Sequence, residues 1–281
     1  MIELADKTDI HKLLRGAEFL RSGGESVSDK GSYTADLYCS MCEQVTQMRT
    51  VVNPNAWTDM RGAFQCSLCG LNNRDRLFVK ALRTLERSAD THALIFERFS
   101  PLYTNLKKLI PSLEGVEFGG DDLESGSEAT SRHGKFIHQN MCDMSYPDDH
   151  FDLIMHSDVL EHIPHPQRAM KEIHRTLSSS GVCLFSTPIY TGVNEHREIA
   201  KLVEGEVRFT DQEVYHGDPL TGKGIAVFYE FGFHLLEELR ELGFKASILL
   251  DHSILEGVIS NNNPYVNYGH MWPIILKAQK A

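Results

Sequence analysis

One run, FDLIMHSDVLEHI followed closely by AMKEIHRTLSSSGVCLFSTPIY, constrains the fold more than any other stretch of the chain. Its first segment, 151–155, is short and apolar, as is its last, 182–186. Between them a helical period runs from Val159 to Leu177 with a proline-containing break. The run therefore predicts a strand, a helix and a second strand.

Neither predicted strand alternates polar and apolar residues, which is typical of strands buried on both faces. Because crossover connections are right-handed, the two strands should be parallel members of an open α/β sheet. Ligands bind beyond the carboxyl ends of strands in such sheets, which directs attention to 156–158 and 187–190. Apolar residues at helical spacing are interpreted as the core face of the helix: Leu160, Ile163, Met170, Ile173 and Leu177.

The same run resembles the second half of the core of class I S-adenosylmethionine-dependent methyltransferases. It has their apolar strand after Phe-Asp, a VLEHI-type helix, a Leu-Ser-Gly turn and a strand ending in Thr-Pro. The resemblance implies a Rossmann-like α/β fold with a seven-stranded, mostly parallel sheet and helices on both faces. It also implies S-adenosylmethionine as cofactor and methyl transfer as the reaction.

Four of the six cysteines form two knuckles, Cys39-x-x-Cys42 and Cys66-x-x-Cys69. In a reducing compartment, paired knuckles indicate tetrahedral thiolate zinc rather than disulfides or a redox pair. Four thiolates close the coordination shell, so the ion should stabilise the fold and take no part in chemistry. The remaining two cysteines are interpreted as ordinary buried residues: Cys142 and Cys183.

The chain is predicted to divide into three regions. An N-terminal helix and connector occupy 1–32, a small zinc-ribbon module occupies 33–75, and the methyltransferase domain occupies 76–281. Arg74 and Arg76, at the end of the module, are expected in surface salt bridges.

Candidate cofactor residues follow the first three predicted sheet strands, at 92–99, 115–122 and 136–139. The turn after the first strand, Glu97-Arg98-Phe99-Ser100-Pro101, lacks the glycines usual in the family. The resemblance, closest to members with a cysteine ribbon and an acidic turn, implies that Glu97 faces the amino group of the cofactor. Asp121 or Asp122 stands where a Rossmann-like sheet binds ribose hydroxyls. By the same resemblance, Asp143 binds the adenine amino group and Met144 packs on the ring.

Histidine is the commonest general base near neutral pH, and three histidines are candidates. His156 follows the strand at 151–155 and is also a cofactor-site candidate, whereas His162 lies in the VLEHI helix, where a purely supporting role is open. His216 lies in a predicted insertion, 191–228, which carries further polar groups at Tyr215, Asp218 and Lys223. The insertion is expected to form the acceptor pocket, the alternative being a surface loop without function.

Charge and composition limit the partners. The net charge of −11 and the scattered basic residues argue against a nucleic-acid surface, so a small polar or sugar-type acceptor is expected. No apolar run is long enough to span a membrane, and the acidic N-terminal stretch MIELADKTDIHKLL predicts a cytoplasmic protein. Two alternatives stay open: a catalytically silent ligand-binding or scaffold protein, motivated by the missing glycines, and an RNA methyltransferase. The sequence determines neither the acceptor and the atom methylated nor the oligomeric state.

Overall fold

The structure is a computed structural model. It describes residues 2–4, 7–8, 31–51, 58–88, 90–217, 220, 222–251, 253, 256, 258–260 and 267–281. Residues 9–30 of the predicted N-terminal helix and connector, and Asp218, lie outside these residues. The chain forms two compact units, the first comprising Met1–Glu86, Ile189–Asn194 and Ser247–Leu276, and the second comprising Arg87–Pro188, Glu195–Ala246 and Lys277–Ala281.

The secondary structure alternates strands with short helices. The strands are β1 (Ile2–Leu4), β2 (Ser32–Cys39), β3 (Gln44–Val51), β4 (Gln65–Cys66), β5 (Ala93–Ile95), β6 (Glu114–Glu117), β7 (Glu128–Ser131), β8 (Gly134–His138), β9 (Phe151–Ser157), β10 (Leu177–Ser186), β11 (Arg197–Glu198), β12 (Ala200–Val203), β13 (Glu206–Phe209), β14 (Tyr215–Gly217), β15 (Gly224–Ala226), β16 (Tyr229–Glu230), β17 (Phe244–Leu250) and β18 (Ile275–Lys280). The helices are α1 (Asn73–Arg83), α2 (Pro101–Leu109), α3 (Pro166–Thr176) and α4 (Leu235–Glu241), with 3₁₀ turns at Met60–Gly62 and Leu160–His162. None of the helices within the described ranges has the length and apolar character needed to cross a bilayer.

The second unit is built on a mostly parallel sheet, as predicted. Its strand order is β17-β18-β10-β9-β5-β6-β8-β7, where β17 and β18 contribute residues 244–246 and 277–280. Strands β10, β9, β5, β6 and β8 pair in parallel, and β7 pairs antiparallel with β8. The α/β prediction is therefore confirmed, but the predicted number of seven strands is wrong because β7 adds a further strand beside β8.

Strand β1 belongs to the first unit, where it pairs antiparallel with residues 248–250 of β17. The sequence pattern predicted a helix-like stretch at this position. An edge strand such as β17 leaves backbone groups unpaired, and pairing satisfies them at the cost of the helical pattern.

The strand, helix and strand predicted between Phe151 and Ser186 are confirmed as β9, α3 and β10. The helical period is interrupted after the 3₁₀ turn at Leu160–His162, and α3 begins at Pro166, a residue suited to a first helical turn. Strand β10 begins earlier than predicted, with a register shift between Leu177 and Val182. Gly181 is required there, because a Cβ would lie 3.0 Å from the carbonyl oxygen of Phe151.

In the first unit, the three-stranded sheet β2-β3-β4 and the 3₁₀ turn at Met60–Gly62 contribute to a small core. The side chain of Asn72 caps α1 by accepting a hydrogen bond from the Asp75 amide at 2.9 Å. Lys80 on α1 binds the carboxylates of Asp251 and Glu256. The buried residues of this core are Cys39, Met48, Met60, Ala63, Phe64 and Cys66.

Candidate active site and cysteine centre

The order of the parallel strands reverses between β5 and β9, so the crevice expected to bind a ligand lies beyond their carboxyl ends. After β5 the chain turns at Glu97, which is half-buried, and enters α2. Ser100 caps this helix by accepting a hydrogen bond from the Tyr103 amide at 2.9 Å, and Pro101 follows it. Glu97 therefore stands at the point of reversal.

The acid at the end of β6 is Glu117, which the sequence analysis missed. The predicted strand ran on to Asp122, but β6 ends at Glu117 and the backbone turns at Gly120, whose φ of 120° favours glycine. Asp121 and Asp122 are exposed in the turn beyond. The pair Gly119-Gly120 was the signal, because glycines interrupt strands.

Glu117 reaches the turn after β5. Its Oε1 accepts a hydrogen bond from the backbone N–H of Phe99 at 3.1 Å. The Phe99 ring packs near Phe136, with ring centroids 6.0 Å apart. The turn after β5 is therefore not glycine-rich. The carboxylate of Glu117 stabilises it, and it carries the aromatic side chain of Phe99.

Strand β8 ends at His138, which is fully buried. The Gly119 amide donates to His138 Nδ1 at 2.9 Å, so the ring proton is on Nε2, a buried donor with no partner among the described residues. Burial lowers the pKa of His138 and keeps the ring neutral. Asp143 is exposed in the following turn, where its amide donates to the Asn140 carbonyl, while Met144 is buried and its amide donates to Glu172 at 3.1 Å.

His156, a candidate base, lies inside the sheet rather than at its edge. It has no exposed surface, and its ring stacks on Phe185 with centroids 4.7 Å apart. Burial lowers its pKa to about 3, and neither ring nitrogen has a hydrogen-bond partner in the described part of the chain. The residue after β9 that is fixed by hydrogen bonds is instead Asp158. Its amide donates to the Ser186 carbonyl, and its carboxylate accepts from the Ser186 hydroxyl.

The other two histidine candidates come together. His162 Nε2 lies 3.2 Å from His216 Nδ1, and Glu161 Oε1 lies 3.9 Å from the first of these atoms and 3.8 Å from the second. Glu161 is only 1% exposed, whereas the side chain of His216 is 39% exposed. A buried carboxylate and two imidazoles thus form a cluster that opens to solvent on the His216 side, and we refer to Glu161, His162 and His216 as the Glu-His-His cluster.

Two hydrogen bonds orient this cluster from behind. His162 Nδ1 lies 2.8 Å from the Ala226 carbonyl, which can only accept, so Nδ1 carries the proton and Nε2 faces the cluster. Glu161 Oε2 accepts a hydrogen bond from Thr187 Oγ1 at 3.0 Å. Thr187 follows β10, at one of the positions that the sequence analysis singled out.

The predicted insertion supplies His216 from a hairpin of β14 and β15. The Phe228 amide donates to the Glu161 carbonyl at 2.8 Å, which fixes the end of the insertion against the 3₁₀ turn. A small core of its own contains Ala200, Ala226 and Phe228. The sequence pattern indicated an ordered loop, and the structure shows a folded element with Tyr215 and Lys223 exposed.

Comparison with known families is informative for one segment. Residues 102–185 match the family model of a methyltransferase domain. The matched segment contains β6, β7, β8 and β9 and all but the last residue of β10, and so carries the carboxyl ends of β6, β8 and β9 but not Glu97, Thr187 or His216.

Solved structures with similarity to the chain include methyltransferases. An S-adenosylmethionine-dependent methyltransferase from Mesorhizobium loti has 15% identity and a TM-score of 0.45, with 72% of this chain and 97% of that chain covered. One from Methanosarcina mazei has 16% identity and a TM-score of 0.41, covering 71% and 96%. The YcgJ protein from Bacillus has 13% identity and a TM-score of 0.42, covering 72% and 96%. No curated protein matches the chain.

In the first unit, the four knuckle cysteines converge. Cys39 and Cys69 have sulfurs 3.7 Å apart, and those of Cys42 and Cys66 are 3.9 Å apart. Ligands at a Zn–S distance of about 2.3 Å in a tetrahedron lie about 3.8 Å from one another. The donor set and its spacing therefore fit a tetrahedral thiolate centre.

Hydrogen bonding within this cysteine cluster separates the acidities of its thiols. The hydrogen bond from Cys69 lowers the pKa of Cys39 to about 5, and the same interaction raises the pKa of Cys69. Arg76 lies close enough to interact with the thiolates, and its guanidinium donates to the carbonyls of Leu71, at 2.9 Å, and Phe64. The expectation that Arg76 is a surface residue is wrong: it is 2% exposed, because it anchors the cysteine loop.

Proposed function

We propose that the chain is a class I S-adenosylmethionine-dependent methyltransferase that methylates an oxygen, nitrogen or carbon atom of a small polar or sugar-type acceptor. The observation that carries the proposal is the methyltransferase-domain match over residues 102–185. The reversal of strand order between β5 and β9 supports it, since ligands bind at such a point in α/β sheets.

The donor set at the sheet edge fits this cofactor. S-adenosylmethionine supplies a methyl group already activated on a sulfonium ion, and it presents ribose hydroxyls, two amino groups and an adenine ring. We assign Glu97 to the amino group of the methionine part, Glu117 to the ribose hydroxyls and Asp143 to the adenine amino group. The buried Nε2–H of His138 is a donor of the kind that ring nitrogens of adenine accept.

The Glu-His-His cluster is assigned to the acceptor side. Methyl transfer to a hydroxyl or amine requires the nucleophile to be positioned and to lose a proton. His162 Nε2 and the half-exposed His216 are positioned to act on that proton, with Glu161 stabilising positive charge on the rings. We do not assign His156 this role, because its burial leaves no access for an acceptor.

The insertion and the charge of the protein indicate the acceptor class. Exposed Tyr215 and Lys223, in the same hairpin as His216, are suited to hydrogen bonds with a polar molecule. The net charge of −11 disfavours a phosphate backbone. A small polar metabolite therefore fits better than RNA.

We further propose that Cys39, Cys42, Cys66 and Cys69 hold a structural Zn²⁺ ion. The sulfur spacing fits the ion, and four thiolates leave no position for a reacting water. Arg76 offsets part of the negative charge of the thiolates.

Calorimetry with S-adenosylmethionine and S-adenosylhomocysteine is the direct test. We expect both to bind, and we expect radioactivity from methyl-labelled cofactor to enter a small molecule when the protein is added to a cell extract. Absence of binding at millimolar cofactor would overturn the proposal. Label appearing in RNA would instead overturn the acceptor assignment alone.

One observation favours a second candidate, a methyltransferase-fold protein that binds a ligand or partner without transfer. Phe99 occupies the turn that is glycine-rich in most of the family, and it packs near Phe136. The variant Phe99→Gly discriminates between the two. A catalytically silent protein would gain cofactor affinity from this change, whereas an enzyme adapted to Phe99 would bind less tightly or unchanged.

A further inference from the structure

We propose that the Glu-His-His cluster binds a divalent first-row transition-metal ion and that the ion activates the methyl acceptor. The metal site stands on its own geometry, while its role in acceptor activation rests on the proposed function. It is separate from the four-cysteine centre, which has a different donor set.

The three side chains present their ligand atoms to a common point. One oxygen of Glu161 and one ring nitrogen each of His162 and His216 lie within 4.8 Å of one another. Ligands at about 2.0–2.2 Å from a metal ion stand about 2.8–3.1 Å apart in octahedral geometry and about 3.3–3.6 Å apart in tetrahedral geometry. The observed separations of 3.2, 3.8 and 3.9 Å require only a small inward movement, and the side chain of His216 is 39% exposed.

The hydrogen bonds behind the cluster are those that metal ligands usually have. A ligating histidine typically donates its other ring N–H to a carbonyl or carboxylate, as His162 Nδ1 does to Ala226. A ligating carboxylate is in turn hydrogen-bonded, as Glu161 is by Thr187. Both ligands are thus oriented before an ion arrives.

Charge and donor chemistry indicate the kind of ion. Burial of a carboxylate requires a compensating positive charge, and an ion would supply it to Glu161, which is 1% exposed. Two imidazole nitrogens and one carboxylate oxygen suit Zn²⁺, Fe²⁺ or Co²⁺. Three protein ligands leave at least one coordination position open on the solvent side, where His216 is exposed.

An ion with an open position can activate a hydroxyl acceptor. Coordination lowers the pKa of the hydroxyl, which then releases its proton to water. The acceptor oxygen forms its bond to the methyl carbon as the carbon–sulfur bond of the cofactor breaks, leaving the methylated acceptor and S-adenosylhomocysteine. A ring nitrogen that ligates the ion cannot also accept a proton, so with the ion bound the acceptor proton passes to water rather than to His162 or His216.

Metal stoichiometry of the full-length protein tests the site without any assay of activity. The protein is dialysed against micromolar Zn²⁺ or Co²⁺, and the bound metal is measured by elemental analysis and by titration. We expect the wild-type chain to hold one ion more than His216→Ala, with the cysteine-bound ion present in both. Co²⁺ at the second site should show weak d–d absorption without thiolate charge-transfer bands.

Two further variants separate ligation from general disturbance. Thr187→Val removes the hydrogen bond to Glu161 and should weaken binding of the second ion on the order of 10- to 100-fold, while Thr187→Ser should restore it. His234→Ala removes a histidine that lies 2.6 Å from Glu237 but outside any three-ligand cluster of the described residues, and it should bind metal as the wild type does.

The metal site is overturned if wild type and His216→Ala hold equal amounts of metal, or if His234→Ala loses as much as His216→Ala. Cofactor calorimetry is carried out separately on the same preparations. Cofactor binding without a second ion would refute the metal site and leave the proposed function intact. A second ion without cofactor binding would support the metal site and refute the proposed function.

Discussion

The carboxylate of Glu117 accepts a hydrogen bond from the backbone N–H of Phe99, 3.1 Å away and across two neighbouring parallel strands. This bond ties the last residue of β6 to the turn that follows β5. A turn without glycine is thereby held by a side chain, and the same side chain is the one that we propose binds the ribose of the cofactor.

Glu117→Ala should therefore weaken the binding of S-adenosylmethionine. A hydrogen bond to a charged group contributes about 1.5–3 kcal/mol, which corresponds to a rise in Kd of roughly 10- to 150-fold. Glu117→Gln keeps an acceptor for Phe99 and should give a smaller loss. Calorimetry measures both, with Glu128→Ala on the exposed edge strand β7 as the control of equal charge. An unchanged Kd in Glu117→Ala would show that Glu117 only braces the turn.

Asp143→Ala should weaken cofactor binding to a similar degree without destabilising the fold. Asp143 is exposed, so its removal leaves no buried group unpaired. Asp90→Ala, which removes an exposed acid before the amino end of β5, is the matched control. If both variants bind the cofactor equally well, the assignment of Asp143 to the adenine is wrong.

The sequence predicted β9 and β10 well because each contains a continuous apolar run and helix α3 lies between them. The regular run between β9 and β10 needed no information from elsewhere in the chain. By contrast, the predicted end of β6 was five residues too late. The segment GVEFGGDD contains the last residues of the strand and also the glycine turn that follows it. Edge strands β1 and β7 were missed because their pairing depends on tertiary contacts rather than on hydrophobic pattern.

In the candidate site too, the sequence predicted what local spacing determines and missed what tertiary contacts determine. The two knuckles identified all four cysteines, because local spacing alone brings each pair together. His162 and His216 were both named, but 54 residues separate them, and their 3.2 Å contact depends on how the insertion folds. Glu161 passed unnoticed inside VLEHI, where a helical pattern does not reveal that a carboxylate is buried.

His156 should make the stability of the protein depend on pH. Burial lowers its pKa to about 3 in the folded chain, whereas its ordinary value is 6.5. Between these values the unfolded chain binds a proton that the folded chain does not, so stability falls as pH falls through this window. This contribution to the free energy of unfolding changes by up to about 1.4 kcal/mol per pH unit, and His156→Leu should abolish it.

Urea unfolding at several values between pH 4 and 8 provides the measurement. The stability of His156→Leu relative to wild type should rise steadily toward the acidic end. His92→Leu, which removes an exposed histidine, is the control. A constant difference between His156→Leu and wild type across the range would mean that the pKa of His156 is the same in the folded and unfolded chains.

Cys66→Ser should lose one bound zinc ion and unfold at a lower temperature. Zinc binding to small modules contributes on the order of 10 kcal/mol of apparent free energy, and that binding energy is part of the folding energy of the first unit. Elemental analysis of chelator-free protein and thermal unfolding test the expectation, with Cys142→Ser, outside the cysteine cluster, as control. Retention of the ion and of the melting temperature in Cys66→Ser would contradict the assignment.

His216→Ala should separate turnover from cofactor affinity. His216 belongs to the insertion, contacts His162 and is 39% exposed, so its removal should disturb neither the core nor the cofactor residues on β5, β6 and β8. With an acceptor in hand, we expect turnover to fall on the order of 10²- to 10⁴-fold, while the Kd for S-adenosylmethionine stays within about twofold. His234→Ala should change neither quantity. An equal loss of turnover and affinity would place His216 in the cofactor site, and no loss of either would leave the insertion as a folded surface element without a part in catalysis.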